Sequence, residues 1–202
     1  MMRAHLKLDT VENLWDKRLN YTVQKAIKQA EESRLTIKRG ASENTLKEEF
    51  YPLYLRQMKR FGTPPQSLKY FFSLLGKLEI KLFWAEFKNE TIAAVLGWGE
   101  GKNMVVVYNP SNMEYWHLRA NDLLHWELIK EAVKDGVYEY VDFGPVRYEG
   151  QLQYKKKWGC EIYEDNEKRI NPDLWFYRIF RFFWRTFVPL KLTPYFGKLF
   201  RK

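Results

Sequence analysis

Between residues 140 and 159 the chain reads YVDFGPVRYEGQLQYKKKWG, a β-rich run ending at Asp142-Phe143-Gly144 that turns and re-enters a segment with Tyr154 and Lys155. A strand that stops there sets a cation and an aromatic ring beside a strand end, where α/β folds commonly bind ligands. Gly144 then belongs to the ligand-facing turn, and Asp142, placed before Phe-Gly, has the pattern of a turn cap. The competing reading is a β-turn followed by a solvated basic helix, since Lys155 is the first of three lysines. The histidines His5, His117 and His125 lack zinc-type spacing, so the sequence holds no metal site. His125 reads as an ordinary helix residue away from the leucine stripe. Cys160 is the lone cysteine, which excludes an internal disulfide and suits a reducing cytoplasm.

The elements that must position these residues follow from periodicity. Residues 9–34 predict a helix, with Asp9 as cap, Glu12 at capping-box distance, and Leu14, Leu19, Val23, Ile27 and Ala30 on one face. A short strand over 35–38 follows. Ser42 then caps a helix carrying Phe50, Leu53, Tyr54, Met58 and Phe61, with Pro52 a kink and Gly62 a stop. After Thr63-Pro64-Pro65 a second helix covers about 66–78. The stretch 79–109 predicts three consecutive antiparallel strands, because alternation is broken by turns at 88–90 and 99–103. Residues 120–135 form a strong helix closed by Gly136 and capped by Asn121 and Asp122. A strand over 137–143, a helix over 150–158 and a last strand over 160–163 complete the order.

Composition sets the class. The 202 residues are 46% hydrophobic and 17% aromatic, enough to bury a core within one domain. No window holds the roughly 20 uninterrupted apolar residues of a membrane span, and the charged start MMRAHLKLDTVENLW is no secretory signal. Net charge is +9, of which residues 168–202 supply +8 from nine bases and one acid. A body-wide nucleic-acid surface is therefore disfavoured, and the basic character belongs to the tail.

The order strand, two helices, three-stranded meander, helix, strand, helix, strand is that of a GNAT-type acyltransferase domain. The residues also resemble the C-terminal half of the Fem family, GNAT-fold enzymes that transfer amino acids from aminoacyl-tRNA to peptidoglycan precursors. KAIKQAEES, FYPLYLRQMKRFGTPPQSLKYFFSLL, LRANDLLHWELIKEAVKDG, YVDFG, YKKKWG and the ending PLKLTPYFGKLFRK carry the likeness in the family's order.

The resemblance implies an α/β (α+β) single GNAT-like domain over 35–168, with a central mixed, largely antiparallel sheet. Residues 1–34 form an N-terminal helical segment and 169–202 a C-terminal amphipathic helical tail. It further implies attack of a neutral amine on an activated acyl carbonyl. Lys155 falls on the family lysine of the aromatic-Lys pair, and is the cation that faces the oxyanion or the donor phosphates. Tyr154 shapes the pocket beside it, and Asp142 either accepts the amine proton or orients the turn. Trp116 and Arg119 border the loop where donor phosphate lies.

The implied donor is aminoacyl-tRNA, met at its acceptor end, and no cofactor is bound tightly. Acyl-CoA is less favoured, because NPSNMEYWHLRAND has no glycine where a pyrophosphate loop is expected. The implied acceptor is an amine of a lipid-linked or glycan precursor of the cell envelope. Fem proteins hold two GNAT-like domains and this chain resembles the second, so half of the expected cleft is missing. Tyr21, Thr22 and Gln24 also replace basic residues of the family's interdomain helix. A noncatalytic GNAT-fold module that binds a membrane-associated partner is thus the alternative.

The tail adds a location. Leu174 to Phe187 is densely aromatic, and Arg178, Arg181 and Arg185 fall within about 60° on a helical wheel. The helix itself is expected to pack on its domain. Lys191, Lys198, Arg201 and Lys202 follow on a segment broken by Pro189, Pro194 and Gly197. Together the cations and aromatics predict peripheral binding to an anionic membrane surface from the cytoplasmic side.

Overall fold

The computed structural model describes residues 2–164 and 175–195, with side chains of the second stretch from residue 181 onward. Its strands are β1 (Met2–Lys7), β2 (Thr36–Arg39), β3 (Ile80–Phe87), β4 (Glu90–Glu100), β5 (Asn103–Tyr108), β6 (Tyr140–Pro145) and β7 (Glu161–Glu164). They form one mixed sheet in the order β2-β3-β4-β5-β6-β1-β7. As the alternation predicts, β3, β4 and β5 are an antiparallel meander. Helix α6 (Ala120–Asp135) then carries the chain across to β6, which runs parallel to β5.

Helices cover both faces. On one side α1 (Val11–Asn13), α2 (Tyr21–Glu32) and α6 enclose Leu14, Ile27, Leu124, Ile129 and Trp158. On the other, α3 (Glu43–Thr45), α4 (Tyr51–Phe61) and α5 (Leu68–Leu74) bury Phe50, Tyr54 and Phe71 against the sheet. Tyr54 meets Phe71 and Tyr108 edge-on, with ring centroids 5.1 Å apart in each pair, a preferred aromatic geometry.

Three expectations change. The first is β1, which lies between β6 and β7 and pairs antiparallel with both. Its segment MRAHLK offers only Ala4 and Leu6 to the core, so it carries no apolar signal. Residues 2–7 therefore belong to the sheet and not to a helical segment.

The second is the predicted 9–34 helix, which is two. Thr10, not Asp9, caps the first through the N–H of Asn13, and a π-helical turn Leu14–Arg18 follows. Leu19 is extended, and Asn20 restarts the helix by accepting the N–H of Thr22. The interruption lets the Asn20 N–H bond the carbonyl of Lys157 at 2.8 Å, tying this region to α7 (Glu149–Lys157).

The third concerns Pro52, which sits in the first turn of α4 after a π-helical turn at Leu46–Phe50. The wider turn relieves the clash a proline ring makes with the carbonyl four residues earlier, so the local disturbance expected at Pro52 takes the form of a π-turn ahead of it. Two smaller boundary shifts accompany these: the 66–78 helix is shorter, at Leu68–Leu74, and β6 runs through Gly144 to Pro145.

Helix α8 (Trp175–Phe187) packs on α4. Trp184 is buried, Lys59 Nζ donates to its carbonyl at 2.6 Å, and Arg181 Nε donates to the carbonyl of Phe61 at 3.0 Å. Gly62 has φ +68°, and a Cβ there would stand 2.8 Å from the Arg181 carbonyl oxygen. The helix stop and the close approach thus need the same glycine. The side chain of Arg178, and all of Lys198, Arg201 and Lys202, lie outside the described residues.

Candidate functional site

Strands β5 and β6 pair only as far as Val105 and Asp142, after which they part. The β6-facing edge of Val106–Tyr108 is then without a strand partner among the described residues. A register slip at Val107 in the β4–β5 pairing bends β5 away from its neighbour. The opening is a groove of about 440 Å³ walled by Val106 and Val107 on one side and Phe143 to Pro145 on the other. A second hollow of about 240 Å³ at the start of α6 shares Asn109, Ser111, Trp116, Asn121 and Tyr154 with it. Parted parallel strands capped by a helix start are where an open sheet accepts a ligand.

Lys155 reaches this groove from α7. It is 7% exposed, whereas Lys156 and Lys157 are solvated. Its Nζ donates to the carbonyls of Gly144 (2.8 Å) and Pro145 (2.7 Å), leaving one of three N–H donors for a ligand. Burial pushes its pKa down to about 8, against the opposing pull of Cys160 and Asp142. Two-thirds of the lysine run is therefore the solvated face that the bland reading describes, and one residue is the buried cation.

Asp142 is also buried, and both its oxygens are engaged. Oδ1 accepts the Gly144 N–H at 2.6 Å, and Oδ2 pairs with Arg3 and stands 3.4 Å from His5 Nε2. Its place is behind the groove wall. The carboxylate fixes the backbone turn whose next carbonyls hold Lys155, and Gly144 adopts φ +77° there. Of the two roles weighed for Asp142, the geometry supplies the turn-orienting one.

Tyr154 is half-buried and lines both hollows. Its hydroxyl donates to Asp122 Oδ1 at 3.3 Å, and burial together with that carboxylate's charge drives its pKa well above the usual phenol value. Burial raises the Asp122 carboxyl, opposed by His125, Arg119 and Tyr154. Trp116 is 50% exposed, with Nε1 donating to Ser111 Oγ at 3.0 Å. Arg119 caps α6 in the left-handed region at φ +58° and lines the smaller hollow. A non-glycine residue held there is strained, a condition common at functional sites.

Three further residues line the groove: His125, which the sequence reading takes as an ordinary helix residue rather than a base, and Arg60 and Arg147, which it does not single out. His125, 2% exposed, bonds the carbonyl of Asn121 through Nδ1 at 2.7 Å and stacks on Phe143 at 5.6 Å. With the proton on Nδ1, Nε2 keeps a lone pair on the groove wall. Burial lowers its pKa, so the ring is neutral near pH 7. Arg60 and Arg147 also line the larger groove, Arg60 lying 5.1 Å from the rings of both Phe61 and Trp116. Among the described residues no carboxylate lines that groove. Three cations and no acid give it a positive potential suited to phosphate.

A family model described as "Acetyltransferase (GNAT) domain" matches residues 17–156. Among solved structures the chain is similar to FemX, at 15% identity and TM-score 0.68, covering 80% of this chain and 59% of that one. It is similar to a conserved protein of unknown function from Bacteroides thetaiotaomicron, at 11% identity and TM-score 0.61, covering 80% and 58%. It also matches the C-terminal domain (DUF2156) of a protein assigned as a lysylphosphatidylglycerol synthetase from Agrobacterium fabrum. There the identity is 11% and the TM-score 0.54, covering 80% and 57%. These likenesses establish the fold, and the chain spans somewhat more than half the length of each. A search of curated proteins finds no match.

Proposed function

We propose that this chain, which belongs to the acetyltransferase (GNAT) domain family, transfers an aminoacyl group from aminoacyl-tRNA to an amine of a cell-envelope or glycan precursor. The observation that carries the reading is the groove between the parted strands, with Lys155, Arg60 and Arg147 on its walls and no acid among its described residues. Such a groove attracts the phosphates of a nucleotide donor and leaves one ammonium N–H for an acyl oxygen.

In this scheme the donor's ester carbonyl lies by Lys155. The amine nitrogen adds to the carbonyl carbon, and the oxyanion forms against the ammonium. Neutral His125 takes the amine proton on Nε2. The ester C–O bond then breaks, the imidazolium returns the proton to the leaving ribose oxygen, and an amide and a free hydroxyl result. Tyr154, which stays protonated, bounds the pocket and holds Asp122 beside the imidazole.

Aminoacyl-tRNA is preferred over acyl-CoA because the segment before α6 is not an open glycine loop. A 3₁₀ turn, Met113–Leu118, fills it, and Trp116 is pinned to Ser111. Among the described residues no helix is long and apolar enough to cross a membrane, and a tRNA donor places the reaction in the cytoplasm.

A thermal-shift panel of aminoacyl-tRNA mimics, acyl-CoAs and amine acceptors separates these, because a ligand that binds only the native state raises its stability. Stabilisation by the tRNA mimics together with amide formation supports the proposal. Stabilisation by acyl-CoA alone would move the donor class, and no shift with any donor would sink the transfer reading.

A further inference from the structure

We infer that the outer surface of α8 and the turn that follows it docks on an anionic lipid bilayer and holds the groove mouth against it. Trp184 anchors α8 inward on α4, which fixes the opposite side of the helix toward solvent. Phe182 lies on that side, about 160° round the helix from Trp184, and Phe183 and Phe187 run along one flank a turn apart, 54% and 63% exposed, with ring centroids 5.3 Å apart. Phe182 meets Phe183 edge-on at 6.2 Å. The 3₁₀ turn Leu190–Leu192 and Tyr195 extend the exposed apolar surface.

An aromatic face of this kind stands on a monomer only at a cost in solvation, and it marks a place of contact. Its charge says what the contact is. Residues 175–195 contain no Asp or Glu, while Arg185, on the other flank of α8, and Lys191, in the turn after it, are exposed cations. Arginine and lysine stems beside inserted phenylalanines are suited to an interface of acyl chains topped by anionic headgroups. A second copy of this chain would meet the same positive rim and be repelled, so charge complementarity favours lipid over self-association.

Position links the surface to the site. Phe61 ends α4, accepts Arg181 of α8 through its carbonyl, and lines the groove beside Arg60. A bilayer resting on α8 therefore lies next to the groove mouth. The acceptor implied is an amine on a molecule embedded in that bilayer. This last step rests on the proposed acyl transfer, whereas the docking itself does not.

Flotation with vesicles tests the docking on the full chain, using phosphatidylcholine alone or with phosphatidylglycerol, at low and high salt. Binding is expected to the mixed vesicles only, and to weaken with salt. R185Q/K191Q is expected to lower the partition coefficient about 25-fold, at roughly fivefold per cation, and F183S/F187S at least tenfold. All four side chains are exposed, so circular dichroism should match wild type. Equal binding to both vesicle types, no binding at low salt, or variants that float like wild type would overturn the inference. So would a concentration-dependent dimer that F183S/F187S dissolves, since it would give the face to a second copy. Flotation without any donor-induced thermal shift would retain the docking and defeat the transfer reading; a donor shift without flotation would do the reverse.

Discussion

The Lys155 ammonium is bonded to the carbonyls of Gly144 and Pro145, and Asp142 accepts the N–H of the same Gly144. A buried cation in the groove is therefore set by the backbone of β6, and that backbone by a carboxylate that Arg3 holds from the neighbouring strand. Position, not basicity alone, distinguishes Lys155 from the two lysines after it.

Lys155→Met should lower transfer by about 10²-fold or more, the order expected when a donor to a developing oxyanion is lost. Lys157→Met, at a solvated position, should change it less than twofold. Removing a buried charge offsets the loss of two hydrogen bonds, so the melting temperature should move little. Comparing kcat/KM for the two variants checks the assignment, and equal activity of K155M and wild type removes the residue from the mechanism.

A second expectation follows from the Lys155 pKa of about 8, depressed from 10.5 by burial. Between these values the unfolded chain binds more protons than the folded one, so wild-type stability rises with pH across that window. K155M should lack this rise. Transfer that needs the ammonium should fall as pH climbs through about 8. Denaturant melts of both proteins at pH 7.5 and 10, with a pH-rate profile, measure the two effects.

His125 is buried neutral, its pKa below the ordinary 6.5. As the pH falls below about 6.5 the unfolded chain takes up the proton first, and this residue contributes a loss of stability there. His125→Asn can retain a donor toward the Asn121 carbonyl while deleting Nε2. If Nε2 accepts the amine proton, H125N should cost 10² to 10⁴ in kcat and remove the acid limb of the profile. A variant with an unchanged profile would assign the ring to packing against Phe143.

Breaking the pair behind the wall should act on both stability and site. Asp142→Asn leaves Arg3 facing a neutral amide, a change expected to cost about 3 kcal/mol. It should also loosen the turn that holds Lys155. Chemical denaturation gives the first quantity. A rise in the Lys155 exchange rate or a shift in its ammonium resonance reads the second, and a merely destabilised but otherwise unaltered lysine would contradict the link.

Arg119 separates strain from function. Its left-handed backbone suits glycine, so Arg119→Gly should leave stability within about 1 kcal/mol of wild type. If its guanidinium meets donor phosphate beside the α6 start, donor affinity should fall about tenfold. Unchanged affinity would limit Arg119 to capping.

The meander and α6 were legible because their signals are local: alternation in 80–108, and a leucine stripe closed by Gly136. The GNAT order then follows from element succession, and the Fem-like likeness from the residues of the motifs themselves. Lys155 came from the resemblance, not from its lysine-rich surroundings, which look solvated. What stayed hidden depends on distant partners. β1 looks too polar for a central strand because Arg3 and His5 are engaged with Asp142, some 140 residues away in sequence. Arg60, His125 and Arg147 lie on three separate helices or loops, and only the parting of β5 from β6 makes them neighbours.

The insertion of β1 between β6 and β7 also sets a timetable. Among the described residues, β1 takes its backbone partners from residues 140–146 and 161–164. During synthesis that strand must wait while the meander and α6 form ahead of it, and closure of such remote pairings is slow. The groove wall is thus among the last parts to assemble on the ribosome. A nascent chain interrupted before residue 140 can hold a folded meander while lacking every contact that positions the buried lysine.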